Sequence, residues 1–437
     1  MSKSVKSYCA ISFSLALLVT NLYGQYSLTE LSPLPEKMTN GAIEFGKIGD
    51  DGFVYIWGSL DSTRNSAGIH QRGYRLNINE NTWTALPNLP DTTGKVALSA
   101  SRIGDIIYIV GGYHVLPNGN EVSSDKVHRF SIPENQFLQD AAKIPVAIDD
   151  QVQCVYKDSI IYVVTGWSNT GNVGDIQVYD PELNEWSEAT EVPVVGGYRA
   201  FGASGCIIGD TIYYFGGASS SGINFPASNR LCKGYIHPDN PLEIDWFSSI
   251  PDPALRRYRA SCIVAGNSPT WVGGSSVSYN YDGIAYNGSG AVTPVGNILS
   301  WIDEEFIETE LSDLPMDIRA IARMTDSTWI IAGGMLDGPV LSDMVWMMTF
   351  SSPASINDQD YTTQVYPNPV EAALVVKSKE QIIKWSILDV QHKDLKSGEG
   401  EKKYEIMLNL LDLPQGVYWL RTHHPKGKIS FSKFIKK

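Results

Sequence analysis

The sequence predicts an all-β protein: six small antiparallel sheets in a closed ring, sealed by an N-terminal strand and followed by a small β-sandwich. Three observations carry this. An apolar, aromatic strand runs six times into a glycine-containing pair: Gly58-Ser59, Gly111-Gly112, Thr165-Gly166, Gly216-Gly217, Gly273-Gly274 and Gly333-Gly334. The intervals are 53, 54, 51, 57 and 60 residues, the period of a repeat architecture. A short polar-apolar run closes on proline six times: Leu34-Pro35, Leu89-Pro90, Ile144-Pro145, Val192-Pro193, Ile250-Pro251 and Leu314-Pro315. Third, the ends are offset. Tyr26 to Pro35 reads as a fourth strand with no first three before it, and Arg323 to Phe350 holds only three. The N-terminal strand therefore completes the sixth sheet and leaves few exposed edges.

Residues 150–193 show how one unit is written. Gln151 to Tyr156 is an apolar strand, Lys157-Asp158 a tight turn, and Ile160 to Val164 a second strand ending at Thr165-Gly166. A polar loop is expected from Trp167 to Asp175, then a third strand from Ile176 to Tyr179. Asp180 to Asn184 makes the next turn, and Trp186 opens a fourth strand that runs out at Val192-Pro193. Period-2 patterning with turn residues at each corner makes an antiparallel sheet. An aromatic opens most fourth strands: Trp83, Phe137, Trp186, Trp246 and Phe306.

Residues 1–24 read as a secretory signal: basic Lys3 and Lys6, an apolar stretch from Ile11 to Val19, and Leu22-Tyr23-Gly24 before Gln25. That stretch is shorter than the ~20 residues a span requires, so no transmembrane segment is expected in the mature chain. Charge divides the chain. Residues 25–360 hold 19 basic and 40 acidic side chains, whereas 361–437 hold 13 and 8. The acidic excess argues against nucleic-acid binding by the repeats. The change of sign marks a boundary, and residues 351–360 read as a linker between 25–350 and 361–437. Cys154, Cys206 and Cys262 read as one equivalent position in three successive first strands, small buried side chains rather than a zinc site. A Cys206–Cys232 bridge is left open.

With these residues in view, the repeat resembles the kelch β-propeller family. The glycine pairs carry the resemblance, together with Tyr74, Phe130, Tyr179 and Tyr235 on third strands and Trp83, Trp186 and Trp246 on fourth strands. Blade five lacks an obvious third-strand tyrosine, and Trp301 is its substitute. Residues 361–437 resemble the C-terminal sorting domain of type IX secretion substrates of Bacteroidetes-type bacteria. The carrying motifs are Tyr366-Pro367-Asn368-Pro369, Leu411 to Tyr418 (with Gly416) and the basic end Lys433 to Lys437. The Asp389 to Lys393 segment lacks the glycine usual in the family's mid-domain turn. The resemblance implies the type IX machinery as partner and a protein exported to the medium or the bacterial outer surface.

Chemistry is expected on one face of the ring, where strand two meets strand three and strand four meets the next blade. Candidate contacts there are Tyr113, Trp167, Phe225 and Tyr279. Arg199 and Arg256 read as equivalent, as do Arg259 and Arg319. Such arginines suit a carboxylated sugar or a peptide carboxylate; alternatively they brace neighbouring blades. Asp149, Asp150 and Asp317 are candidate acids. His70, His114, His128 and His237 are scattered, so no metal and no cofactor are expected, and His423-His424 reads as a surface turn. Two readings stand: a binding module for a glycan or protein ligand, or a sugar-active enzyme similar to the six-bladed kelch mutarotases.

Overall fold

The computed structural model describes residues 25–195, 197–220, 224–311, 313–351, 363–389, 394–425 and 429–437. The expected signal at 1–24 and all but the first residue of the expected linker lie outside the described residues, as does 390–393 of the expected mid-domain turn. The described residues form two compact units, one within 25–351 and one within 363–437. No helix among the described residues is long and apolar enough to cross a membrane.

The first unit is a six-bladed β-propeller. Blade three pairs Val152–Tyr156, Ile160–Ser168, Gly171–Asp180 and Glu185–Ala189 in chain order, all antiparallel. Blades one, two, four and five repeat this order. Blade six is completed by the N-terminal strand: Gln25–Leu31 pairs along its length with Val345–Ser351, beyond Thr328–Ala332 and Ala322–Thr325. Closure between the chain's first described strand and its last blade spreads the ring's continuity over seven residue pairs.

The glycine pairs are where one blade meets the next. The second residue of the pair donates its N–H to a carbonyl in the following blade's approach segment: Ser59 to Lys95 at 3.1 Å, Gly112 to Ile148 at 3.0 Å, Gly217 to Arg257 at 2.7 Å, Gly274 to Pro315 at 3.1 Å and Gly334 to Met38 at 3.0 Å. The backbones approach so closely that a Cβ on Gly216, where φ is +76°, would stand 2.0 Å from the Arg257 carbonyl oxygen. Glycine fits such a close approach at positive φ without strain. Blade three has Thr165 at this place, and its hydroxyl makes the junction instead. Oγ1 donates to the Ala200 carbonyl at 2.9 Å and accepts from the Ala200 N–H at 2.8 Å.

Two expectations about blade three and its neighbours need correction. Trp167 to Asp175 is not a polar loop, because the second and third strands continue through it past a register shift at Thr165, turning at Asn169-Thr170. Tyr113 and His114 lie likewise on strand Ile106–Val115, paired with Glu121–Ser123. The face therefore carries stiff hairpins instead of loose loops. Cys154, Cys206, Cys232 and Cys262 are all free, so the Cys206–Cys232 bridge is not formed.

The second unit is a five-stranded, sandwich-like sheet. Ala373–Leu388 is a single irregular strand of 16 residues. Its first half pairs with Gln364–Tyr366 and its second with Gly416–His423. Asp394–Asn409 follows it on the other side through the same register shifts. Val370, Leu374, Val376, Ile387, Leu420 and Phe434 fill the core. Asn368 ties the opening motif to the basic last strand, its amide donating to the Lys433 carbonyl at 3.1 Å and its Oδ1 accepting from the Ile435 N–H at 2.9 Å. Tyr418 stacks on Phe434 and donates to the Pro414 carbonyl at 3.0 Å. His424 is buried and hydrogen-bonded to the Gln381 carbonyl and Thr422, so the His423-His424 pair is no surface turn.

Candidate functional site at the channel mouth

Six residues, one entering each blade, sit at the throat of the propeller: Asn40, Ala97, Asp150, Gly202, Arg259 and Asp317. All have left-handed backbone, with φ between 47° and 66°. Each N–H binds the preceding carbonyl around the ring: Ala97 to Asn40 at 3.2 Å, Asp150 to Ala97 at 3.1 Å, Gly202 to Asp150 at 2.9 Å, Arg259 to Gly202 at 2.8 Å and Asn40 to Asp317 at 3.2 Å. At the sixth junction a side-chain ion pair stands, Arg259 Nη1 to Asp317 Oδ1 at 3.2 Å. Five non-glycine residues in a conformation that each would avoid alone mark a place the surroundings over-determine.

The ring's side chains form a buried truss across the axis. Arg259 from blade five grips Asp150 of blade three through Nε at 3.1 Å and Nη2 at 2.6 Å. Asp317 also accepts from the Thr39 hydroxyl at 2.9 Å. Arg319 reaches from blade six to the Gln151 carbonyl at 2.6 Å and to Asp150 at 3.5 Å. The Arg259 guanidinium lies 5.3 Å and 5.5 Å from the ring centres of Tyr258 and Tyr279. Both carboxylates hold its charge firmly, above the ordinary arginine range despite burial.

Above the ring is a cavity of about 140 Å³. Its floor is Asp150 and Arg259, and its aromatic walls are Tyr113, Trp167, Phe201, Phe225 and Tyr286. The walls lock each other, Trp167 edge to face with Phe201 at 5.3 Å and with Phe225 at 5.6 Å, and Phe225 tilted against Tyr286 at 5.0 Å. Asp149 lines the same cavity and is buried. One of its oxygens accepts from the Ser123 hydroxyl at 2.6 Å, and burial beside Asp150 lifts its carboxyl well above the usual range. Exposed Glu121 stands at the rim. Below the ring the channel widens to about 300 Å³, lined by first-strand residues including Glu44, Ser101, Gln153, Cys154, Cys206 and Cys262.

The sequence-predicted residues therefore divide. Tyr113, Trp167, Phe225, Arg259 and Asp149 meet at the cavity, while Tyr279 and Asp317 lie beneath it against Arg259. Arg199 and Arg256 do not come to it. Arg199 lies over Gly174 and pairs with Glu191 at 3.5 Å, and Arg256 is half-buried and donates to the Ala254 carbonyl at 3.4 Å. Arg259 and Arg319 are not equivalent either. Asp317 is the ring residue of blade six and stands ten residues before Ser327, whereas Arg259 stands eight before Asn267, so counting back from the turn lands two residues late; a register shift between Arg323 and Thr325 supplies one of the two. Cys262 is out of step too: it follows its ring residue by three, whereas Cys154 and Cys206 follow theirs by four. Phe201, Tyr258 and Tyr286 were not singled out, although Phe201 and Tyr258 each stand one residue before a ring position. Among the described residues, the group that could hold a metal ion is Asp175, Glu188 and Glu191, away from this cavity.

Comparison with known proteins fits this architecture. The kelch motif matches residues 151–193, and the secretion system C-terminal sorting domain matches residues 364–437. Kelch domain-containing protein 3 of Bos taurus is 24% identical over 249 residues, 52% of this chain and 59% of that protein. Kelch-like protein 26 of Danio rerio is 26% identical over 117 residues, 27% of this chain and 18% of that protein. Beta-scruin of Limulus polyphemus is 20% identical, covering 64% and 29%. The chain thus spans under two thirds of the length of each. The solved structure of YjhT superposes with a TM-score of 0.59 at 17% identity, over 74% of this chain and 99% of that one. The protein is a kelch-repeat β-propeller. It carries a type IX sorting domain at its C-terminal end, which marks it for export to the cell surface or beyond.

Proposed function

We propose that this exported propeller is a binding module whose ligand, a glycan or a protein side chain, enters the aromatic cavity at the channel mouth. One observation carries the reading: the cavity is walled by interlocked aromatic rings, with a buried carboxyl facing it. Concave, mostly apolar sites with a few placed polar groups are the usual form of small-ligand recognition. The arginines give less support to the mutarotase alternative. That chemistry needs an acid and an arginine with free hydrogen-bonding capacity at the mouth, and here Arg259 is engaged by Asp150 and Asp317 while Arg319 serves backbone carbonyls.

Residues 1–24 act as the leader, 25–350 as the binding domain, 351–360 as a linker and 361–437 as the sorting signal in a Bacteroidetes-type bacterium. The type IX machinery is the partner of 361–437. A glycan and peptide binding screen on the whole exported chain tests the reading, with Trp167→Ala alongside. Binding lost in the variant supports it; binding equally strong in the variant contradicts the site. Anomer interconversion of a sugar acid by the wild type would favour the enzyme instead.

A further inference from the structure

We propose that the cavity recognises an alkylammonium group, so that its ligand is a cation and not a carboxylate. This rests on the binding reading above and names the chemistry of the ligand.

The argument begins with charge. Six charged side chains face the cavity or its floor: Glu121 from blade two, Asp149 and Asp150 entering blade three, Arg259 entering blade five, and Asp317 and Arg319 entering blade six. The two guanidiniums are matched by Asp150 and Asp317 within 3.5 Å. Asp149 and Glu121 remain with no cation of their own. Asp149 is 4% exposed, and its Oδ1 makes no hydrogen bond among the described residues. A buried carboxyl with one free oxygen, lining a cavity, is a group waiting for a donor.

The walls fit the same ligand. Aromatic faces attract cations, and desolvation strengthens the attraction. The molecule already holds one cation in this way just beneath the cavity. Arg259 lies between two carboxylates and against two tyrosine rings. Above it the same two ingredients recur in Asp149 and Glu121 with Trp167, Phe225 and Tyr286, and the one cation lining the cavity, Arg259, is already held by Asp150 and Asp317. A carboxylate ligand would meet the opposite field: the Arg259 fork is occupied, and Asp150 and Glu121 oppose it.

Binding is then linked to protons. In the empty site burial and Asp150 both oppose the charge of Asp149 and raise its carboxyl's titration. A bound ammonium favours the carboxylate, so binding releases a proton and tightens as pH rises through the carboxyl's titration.

The test is calorimetric titration of the whole exported chain with glucosamine, glucose, glucuronate and Nα-acetyl-lysine amide, in buffers of different ionisation enthalpy. Glucosamine or the lysine amide is expected to bind at least about tenfold more tightly than glucose or glucuronate, with proton release. Whichever of the two binds more tightly separates an amino sugar from a lysine side chain as the source of the ammonium. Asp149→Asn should erase the preference and the proton release without lowering the melting temperature; Glu121→Gln should weaken the preference by less. Glucose or glucuronate binding more tightly, and being lost in Trp167→Ala, would overturn the ammonium assignment and leave the binding reading intact. No probe binding at about 10 mM would count against both.

Discussion

Two cavities share the propeller axis, separated by one ring of six residues, and they are built from different parts of the repeat. The lower, about 300 Å³, is lined by the first strands, positions every blade possesses, and its walls are largely small or polar side chains. The upper, about 140 Å³, is walled by the hairpins and connections in which the blades differ, and its walls are aromatic. Size and recognition therefore part company. The larger space is a consequence of closing six sheets into a ring, whereas the smaller one is furnished.

The ring between them is the first place to break that contrast. Arg259→Ala leaves Asp317 buried without its ion pair and Asp150 with Arg319 alone, and such losses cost about 3–5 kcal/mol. Chemical denaturation should show this as the largest destabilisation of any single change discussed, together with loss of the upper cavity's floor. Next comes the seam between blades. Gly216→Ala places a methyl group against the Arg257 carbonyl at positive φ, and backbone strain alone contributes about 1–3 kcal/mol. Thr165→Val sharpens the same point from the other side. It keeps the shape and removes the hydroxyl that joins Ala200, which should lower stability by about 1–3 kcal/mol through two unsatisfied backbone groups.

The lower cavity should respond least, and mainly to pH. Glu44 faces it, and burial pushes its carboxyl up to about 7, against the pull of Arg102 and Arg323. A folded-state value above the unfolded one means stability falls as pH rises from about 4.5 to about 7. Glu44→Gln should flatten that decline and stabilise the protein above pH 7 by about 1–2 kcal/mol, measured as unfolding free energy against pH.

This contrast also explains what was legible in the sequence. The glycine pairs, the proline-terminated fourth strands and the unpaired strand at Tyr26 gave blade number and closure, because each answers a backbone demand that all six blades share. Tyr113, Trp167 and Phe225 are legible as aromatics near the ends of second strands or in the segments after them, and the structure brings them together at the upper cavity. The ring was missed because its shared property is a backbone angle, while its side chains differ at every blade: Asn40, Ala97, Asp150, Gly202, Arg259 and Asp317. Arg199 and Arg256 misled because equivalent sequence positions on the outer approach segment do not point to the axis. The tail's long strands hid behind charged stretches such as Lys396 to Lys403, whose pairing with Ile382 to Leu388 leaves no apolar signature.

The most direct test sets the two cavities against each other. The affinity of whichever ammonium probe binds should be measured for wild type, Asp149→Asn above the ring and Arg323→Ala below it. A drop of about tenfold for the first and no change for the second is the expected result. The reverse pattern would contradict the placement of recognition at the channel mouth.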